Sequence, residues 1–150
     1  MNYQLEFISF YNQFYLCDSL SGLQTDNNFW TEEAYLSRLA VLDDIIGVST
    51  SNEELARVKL FTMTKYEPEK LVEGCDHIVE ASMQINSGVL QLRACPDSRL
   101  ELAVNVPAGV YGVRVCSFYL ADDSKDRYEI FCWPDKMRER VVLLQWDNKS

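Results

Sequence analysis

A chain of 150 residues, 47% hydrophobic and 25% charged, carries enough apolar material for a packed core and too much for a disordered segment. Its formal net charge of −9, with a pI near 4.6, argues against a phosphate-neutralising surface and fits a partner that is itself basic. The expectation is one domain over 1–150, without membrane insertion and without direct nucleic-acid binding.

Tyr3, Leu5 and Phe7 alternate with polar residues, and a second apolar piece, Phe14-Tyr15-Leu16-Cys17, follows across Asn12-Gln13. This reads as two strands, or one interrupted by a bulge or turn at Asn12. Asp18 to Asn28 is polar and reads as a loop. An amphipathic helix is expected from about 31 to 46. Thr31 serves as N-cap, Glu32 and Glu33 complement the positive end of the dipole, and Trp30 staples onto Tyr35. Tyr35, Leu39, Leu42 and Ile46 then recur at helical spacing, with Gly47 as the stop.

Ser49 to Glu54 reads as a linker ending in two acids, Arg57 to Thr64 as a strand, and Tyr66 to Gly74, which holds Pro68, as a loop. His77 to Ile85 alternates as a strand, and Asn86-Ser87-Gly88 predicts a hairpin turn into Val89–Arg93. Leu100, Leu102 and Val104 form one arm of a second expected hairpin, turning at Pro107-Ala108-Gly109 into Tyr111–Tyr119. The rest of the chain is expected to be arranged around it. Ala121 to Asp126 is a polar, acidic loop. Tyr128, Ile130 and Cys132 begin a strand that Trp133-Pro134 ends, and Lys136 to Arg140 is short and basic. Val141 to Trp146 is apolar on both faces and therefore expected to be central. The pattern is mainly β: an antiparallel β-sandwich of about eight or nine strands with one amphipathic α-helix.

Chemistry is sparse. Five cysteines lie far apart with no C-x-x-C pair, which predicts reduced structural thiols and no metal site. The first residues lack the basic and apolar regions of a signal peptide, so the expected location is cytoplasmic. The sole histidine, His77, follows Cys75 and Asp76. Adjacent strand residues point to opposite faces, so a structural role is favoured over a thiol–imidazole pair. No nucleotide, zinc-protease or hydrolase motif occurs, and no cofactor is expected. The acidic pairs Glu32/Glu33, Asp43/Asp44, Glu53/Glu54 and Asp122/Asp123 leave one alternative open. That alternative is a ligand-binding or carbohydrate-active sandwich whose carboxylates converge across a cleft. The favoured expectation is a protein that is not an enzyme.

Three pieces of the chain carry a family resemblance. They are Ile8-Ser9-Phe10-Tyr11-Asn12-Gln13-Phe14, the helix opening Phe29-Trp30-Thr31-Glu32-Glu33-Ala34, and Pro107-Ala108-Gly109-Val110-Tyr111 with its preceding strand. Their order and spacing, from about Tyr3 to Leu120, resemble the competence protein J family, the nuclease inhibitors of bacterial transformation. The last thirty residues have no counterpart in that resemblance. It implies an inhibitor, or an immunity-type protein, whose partner is a basic protein: a nuclease with an active site made to receive a polyanion. Carboxylates would there replace phosphates and steer association. Electrostatics then nominates Asp122, Asp123 and Asp126 as partner-binding residues, with Asp43 and Asp44, at the expected helix end, as second choice.

Overall fold

The computed structural model describes residues 1–22, 28–67 and 73–147. In chain order its elements are β1 (Asn2–Ile8), β2 (Gln13–Asp18), α1 (Glu32–Ser37), β3 (Leu39–Val41), β4 (Ile45–Ser49) and β5 (Leu55–Thr62). They continue with β6 (His77–Ile85), β7 (Val89–Ala94), β8 (Leu100–Asn105), β9 (Gly109–Phe118), β10 (Arg127–Pro134) and β11 (Val141–Leu144). Part of each expected loop, residues 23–27 and 68–72, lies outside the described residues.

The strands form two sheets, in the orders β1-β5-β10-β9-β6-β11 and β3-β4-β2-β7-β8. Period-two patterning explains how they meet. Val79, Ala81, Met83 and Ile85 of β6 and Val113 and Val115 of β9 face inward from the six-stranded sheet. Phe14 and Leu16 of β2, Val48 of β4 and Leu90 and Leu92 of β7 meet them from the other. The mainly β sandwich with one helix is as expected, with eleven strands among the described residues. One pairing departs from the antiparallel rule: β10 runs parallel to β5, Tyr128 opposite Val58.

The two expected hairpins are not hairpins. β6 and β7 lie in different sheets, and so do β8 and β9. Asn86-Ser87-Gly88 and Val106-Pro107-Ala108 are arches carrying the chain across the core. The reason is burial on the inner side of both turns, where Ile85, Leu90, Val104 and Tyr111 all face the interior. Local turn chemistry reverses a chain without deciding which sheet it enters next. The arches stack on one another: Val106 N–H donates to Gly88 O at 2.9 Å. Gly88 has φ +74°, and a Cβ there would stand 3.0 Å from Val106 O. Tyr111 Oη–H braces its own arch by donating to Pro107 O at 2.6 Å.

The helix is shorter than its apolar spacing suggests. It starts as expected, with Thr31 Oγ1 accepting from Ala34 N–H at 3.1 Å and Trp30 packed on Tyr35 at 5.4 Å. It ends at Ser37, where Arg38 turns left-handed (φ 60°). Leu39 and Ile46, which match a helical repeat, instead enter the core from β3 and β4, while Leu42 is exposed at the turn between them. The β-branched run Ile45-Ile46-Gly47-Val48 suits a strand better than a helix. Gly47 is therefore no helix stop. It lies mid-strand under two rings, where a Cβ would be 2.8 Å from Phe29 Cε2 and 2.9 Å from Trp30 Cζ2.

The last strand is also displaced from its expected place. β11 is an edge strand paired only with β6, and Val141, Leu143 and Leu144 are exposed. The segment around it closes one side of the sandwich. Arg140 Nη1 donates to Leu39 O at 2.8 Å, and Gln145 Nε2 donates to Leu36 O at 3.0 Å. His77, buried beneath, accepts at Nδ1 from Trp146 N–H at 3.0 Å, and its Nε2 lies 2.7 Å from Ser37 O. That pattern fixes a neutral imidazole with the proton on Nε2. Among the described residues no helix is long and apolar enough to cross a membrane.

Candidate partner-binding site

At one end of the sandwich four connections converge. They are the β1–β2 turn (residues 9–12), the β4–β5 loop (50–54), the β7–β8 loop (95–99) and the β9–β10 loop (119–126). Hydrogen bonds tie them together. Ser9 N–H donates to Glu54 O at 3.0 Å, Phe10 N–H to Cys95 O at 2.8 Å, and Thr50 N–H to Asn12 O at 2.9 Å. Ser51 sits in the middle, accepting at its carbonyl from Asn12 Nδ2 (3.1 Å) and donating through Oγ to Leu120 O (2.9 Å).

Among the described residues five non-glycine residues have positive φ; Tyr11, Asn12, Ser98 and Tyr119 lie in these connections, and Arg38 beside them, its carbonyl accepting from Ser49 N–H. Tyr11 and Tyr119 present their side chains to solvent, 68% and 56% exposed, and Phe10 beside Tyr11 is 43% exposed. Phe10, Tyr11, Asn12, Glu53, Glu54 and Pro96 line an open groove of about 600 Å³.

The acidic candidates separate sharply. Asp126 is 1% exposed, and its Oδ2 accepts from Ser51 N–H (3.0 Å), Asn52 N–H (3.1 Å) and Tyr128 Oη–H (2.6 Å). Its carboxylate is committed to holding the 50–54 loop against the start of β10, so it is not a surface charge. Asp122 and Asp123 do face outward. Ser124 donates to Asp122 Oδ1 through both its hydroxyl (2.6 Å) and its N–H (3.0 Å), which holds that carboxyl below its ordinary pKa. Asp123 keeps its carboxylate in solvent while its carbonyl accepts from Asn52 Nδ2 at 2.6 Å.

Asp43 and Asp44 are not at a helix end. They form the β3–β4 turn, where Gln84 N–H donates to Asp43 O at 2.7 Å. Gln84 is near the far end of β6, whose first residue, His77, pairs with Ser117 just before the 119–126 loop. The two acidic groups therefore occupy opposite ends of the molecule, roughly 20–25 Å apart along that strand.

Sequence reasoning passed over Glu53, Glu54, Phe10 and Tyr11 as a site. The two acids were legible as a pair at the end of a linker, and Asn12 as a turn. Nothing local showed that the turn and the linker meet. Among the described residues, Glu53 and Glu54 form no ion pair. Asn52 Oδ1 fixes their backbone by accepting from Glu54 N–H and Leu55 N–H, both at 2.8 Å. Glu53 and Glu54 line the open groove, and Asp43 and Asp44 line a separate pocket with Ser82, Gln84 and Arg138.

The cysteines behave as small apolar groups. Burial pushes the thiol of Cys17 up to about 11 and those of Cys116 and Cys132 up to about 12. No group of three or more His, Cys, Asp or Glu able to hold a metal ion occurs among the described residues.

No protein-family model and no curated protein matches this sequence. Solved structures do match its fold. ComJ of Bacillus subtilis, described as an inhibitor of the DNA-degrading activity of NucA, superimposes with a TM-score of 0.70 at 18% identity. The match covers 90% of this chain and 99% of ComJ. The fold is that of ComJ. A second structure, described as crocagin biosynthetic gene J, matches with a TM-score of 0.64 at 15% identity, covering 91% of this chain and 98% of that one. The likeness to ComJ expected from three short motifs thus holds for the architecture, at a sequence identity that marks a distant relation. It also extends past Leu120, since 90% of the chain is covered.

Proposed function

We propose that this chain is a non-enzymatic inhibitor that binds and blocks a DNA-degrading nuclease, as a competence-type inhibitor or as an immunity protein to a nuclease toxin. The observation that carries the reading is the fold shared with a nuclease inhibitor over nearly the whole chain. The charge of −9 supports it, because a DNA-binding cleft is built of cations and attracts a surface of carboxylates. The partner surface is the end where Asp122 and Asp123 project beside Glu53 and Glu54, with Asp43 and Asp44 remote from it. The chain works as a single domain over 1–150 in the bacterial cytoplasm, where its thiols stay reduced, and touches the nuclease without touching DNA.

Depletion tests this reading. A lysate of the native cell is passed over the immobilised chain, and degradation of fluorogenic double-stranded DNA is measured before and after. Loss of the DNA-degrading activity, recovered on elution with high salt, is the expected result. A lysate whose activity passes through unchanged, and is unaffected by added soluble chain, overturns it.

A further inference from the structure

We propose that the groove between the β1–β2 turn and the 50–54 loop is the seat of one arginine or lysine side chain from the nuclease's DNA-binding cleft. The inference rests on the inhibitor reading above and deepens it by naming the contact. Six residues line the groove, Phe10, Tyr11, Asn12, Glu53, Glu54 and Pro96, and none is a cation. Exposed rings beside carboxylates are what a guanidinium accepts: its plane stacks on the ring while its N–H fork meets the acid.

The same chain already joins an arginine to a tyrosine and a glutamate. Arg114 Cζ lies 5.2 Å from the centre of the Tyr66 ring, its Nη2 donates to Tyr66 Oη at 2.6 Å, and its Nε donates to Glu80 Oε2 at 2.7 Å. In the groove Tyr11 and Glu53 or Glu54 supply the ring and the acid, and the arginine is left to the partner. Tyr11 also sits where glycine would be relaxed, at φ 62°, so its large exposed ring is held in a conformation its backbone disfavours. Asn12 keeps it there, through its contacts to Ser51 O and Thr50 N–H. Aromatic and arginine pairs of this kind carry a large share of interface affinity.

The test has two arms. In the first, a hexa-arginine peptide is titrated into isotope-labelled chain and the amide shifts are mapped. Shifts centred on Phe10–Asn12 and Glu53–Glu54 are expected, weakened by salt, lost in Glu53→Gln/Glu54→Gln and retained in Asp43→Asn/Asp44→Asn. Shifts centred on either aspartate pair, or surviving the double glutamine change, overturn the groove. In the second arm, inhibition of the nuclease retained from the native lysate is compared for wild type, Glu53→Gln/Glu54→Gln and Tyr11→Gly. The glycine change suits the local φ and preserves the fold, which circular dichroism and thermal melting check. Each variant is expected to weaken inhibition by roughly 30-fold or more. A wild type that inhibits, with variants that inhibit equally well, rejects the groove and leaves the inhibitor reading standing. A wild type that does not inhibit, with a peptide that still maps to the groove, rejects the nuclease as its occupant.

Discussion

Removing the buried carboxylate of Asp126 is expected to loosen the whole end proposed to bind the partner. Its Oδ2 receives three donors, Ser51 N–H, Asn52 N–H and Tyr128 Oη–H, at 2.6–3.1 Å. Hydrogen bonds to a charged acceptor are each worth about 1.5–3 kcal/mol net, but three that share one oxygen do not add fully, and burying the charge offsets part of the gain. Asp126→Ala leaves Asn52 N–H and Tyr128 Oη–H without an acceptor, while Ser51 N–H keeps Tyr128 Oη at 2.9 Å, so the expected loss is about 3–5 kcal/mol. For a chain of this size that lowers the melting temperature by roughly 6–20 °C. Asp126→Asn keeps a carbonyl oxygen for the three donors but sheds the charge and puts an NH2 in place of Oδ1, 3.9 Å from Arg57 Nη1, for a loss of about 1–2 kcal/mol. Calorimetry gives the ordering, and hydrogen exchange at the Ser51 and Asn52 amides locates it, with both amides deprotected in the alanine variant. An alanine variant within about 0.5 kcal/mol of wild type, with both amides still protected, would refute the assignment of Asp126 as the hub of this end.

Gly112→Ala should be destabilising by about 1–3 kcal/mol, because a Cβ there would stand 2.7 Å from Trp133 Nε1, inside a rigid indole; tryptophan fluorescence and urea unfolding report it. Thr31→Ala should cost about 1 kcal/mol by removing the N-cap of α1, measured by urea unfolding, with no change in partner affinity. The buried, neutral His77 has its pKa lowered, chiefly by burial, so the unfolded chain binds its proton more readily than the folded one. Stability should therefore be unaffected by this group above pH about 6.5 and fall as pH drops below it, levelling off only beneath the lowered folded value. In His77→Gln that slope should vanish, and a variant retaining the wild-type slope between pH about 6.5 and 5 would assign it to other groups.

Much of the architecture was legible because strands announce themselves by period two. His77–Ile85 lies where its alternation puts it, and the apolar piece Phe14-Tyr15-Leu16-Cys17 lies within the strand Gln13–Asp18. What sequence could not supply was the partner of each strand. The turns at Asn86-Ser87-Gly88 and Pro107-Ala108-Gly109 are real, yet both lead into the opposite sheet, a choice made by burial on either side of the turn. The parallel pairing of β10 with β5 joins residues about seventy apart in sequence and leaves no local trace. The helix overran because Leu39, Leu42 and Ile46 satisfy a 3.6 repeat by coincidence while belonging to two strands and a turn. At the site, Asp122, Asp123 and Asp126 look alike in sequence; only the fold distinguishes two solvated acids from one that organises two loops. The groove was hidden for the same reason as the arches, since Tyr11 and Glu53 meet only once both sheets are in place.

The function proposed for this acidic sandwich is to stop a nuclease. Its most direct test is a titration of DNA-degradation rate, using the nuclease purified from the native cell, against increasing concentrations of the chain. The rate should fall to near zero close to one chain per nuclease, with an inhibition constant that rises steeply as salt is added. A degradation rate that stays constant through a large molar excess of correctly folded chain at low salt would contradict it.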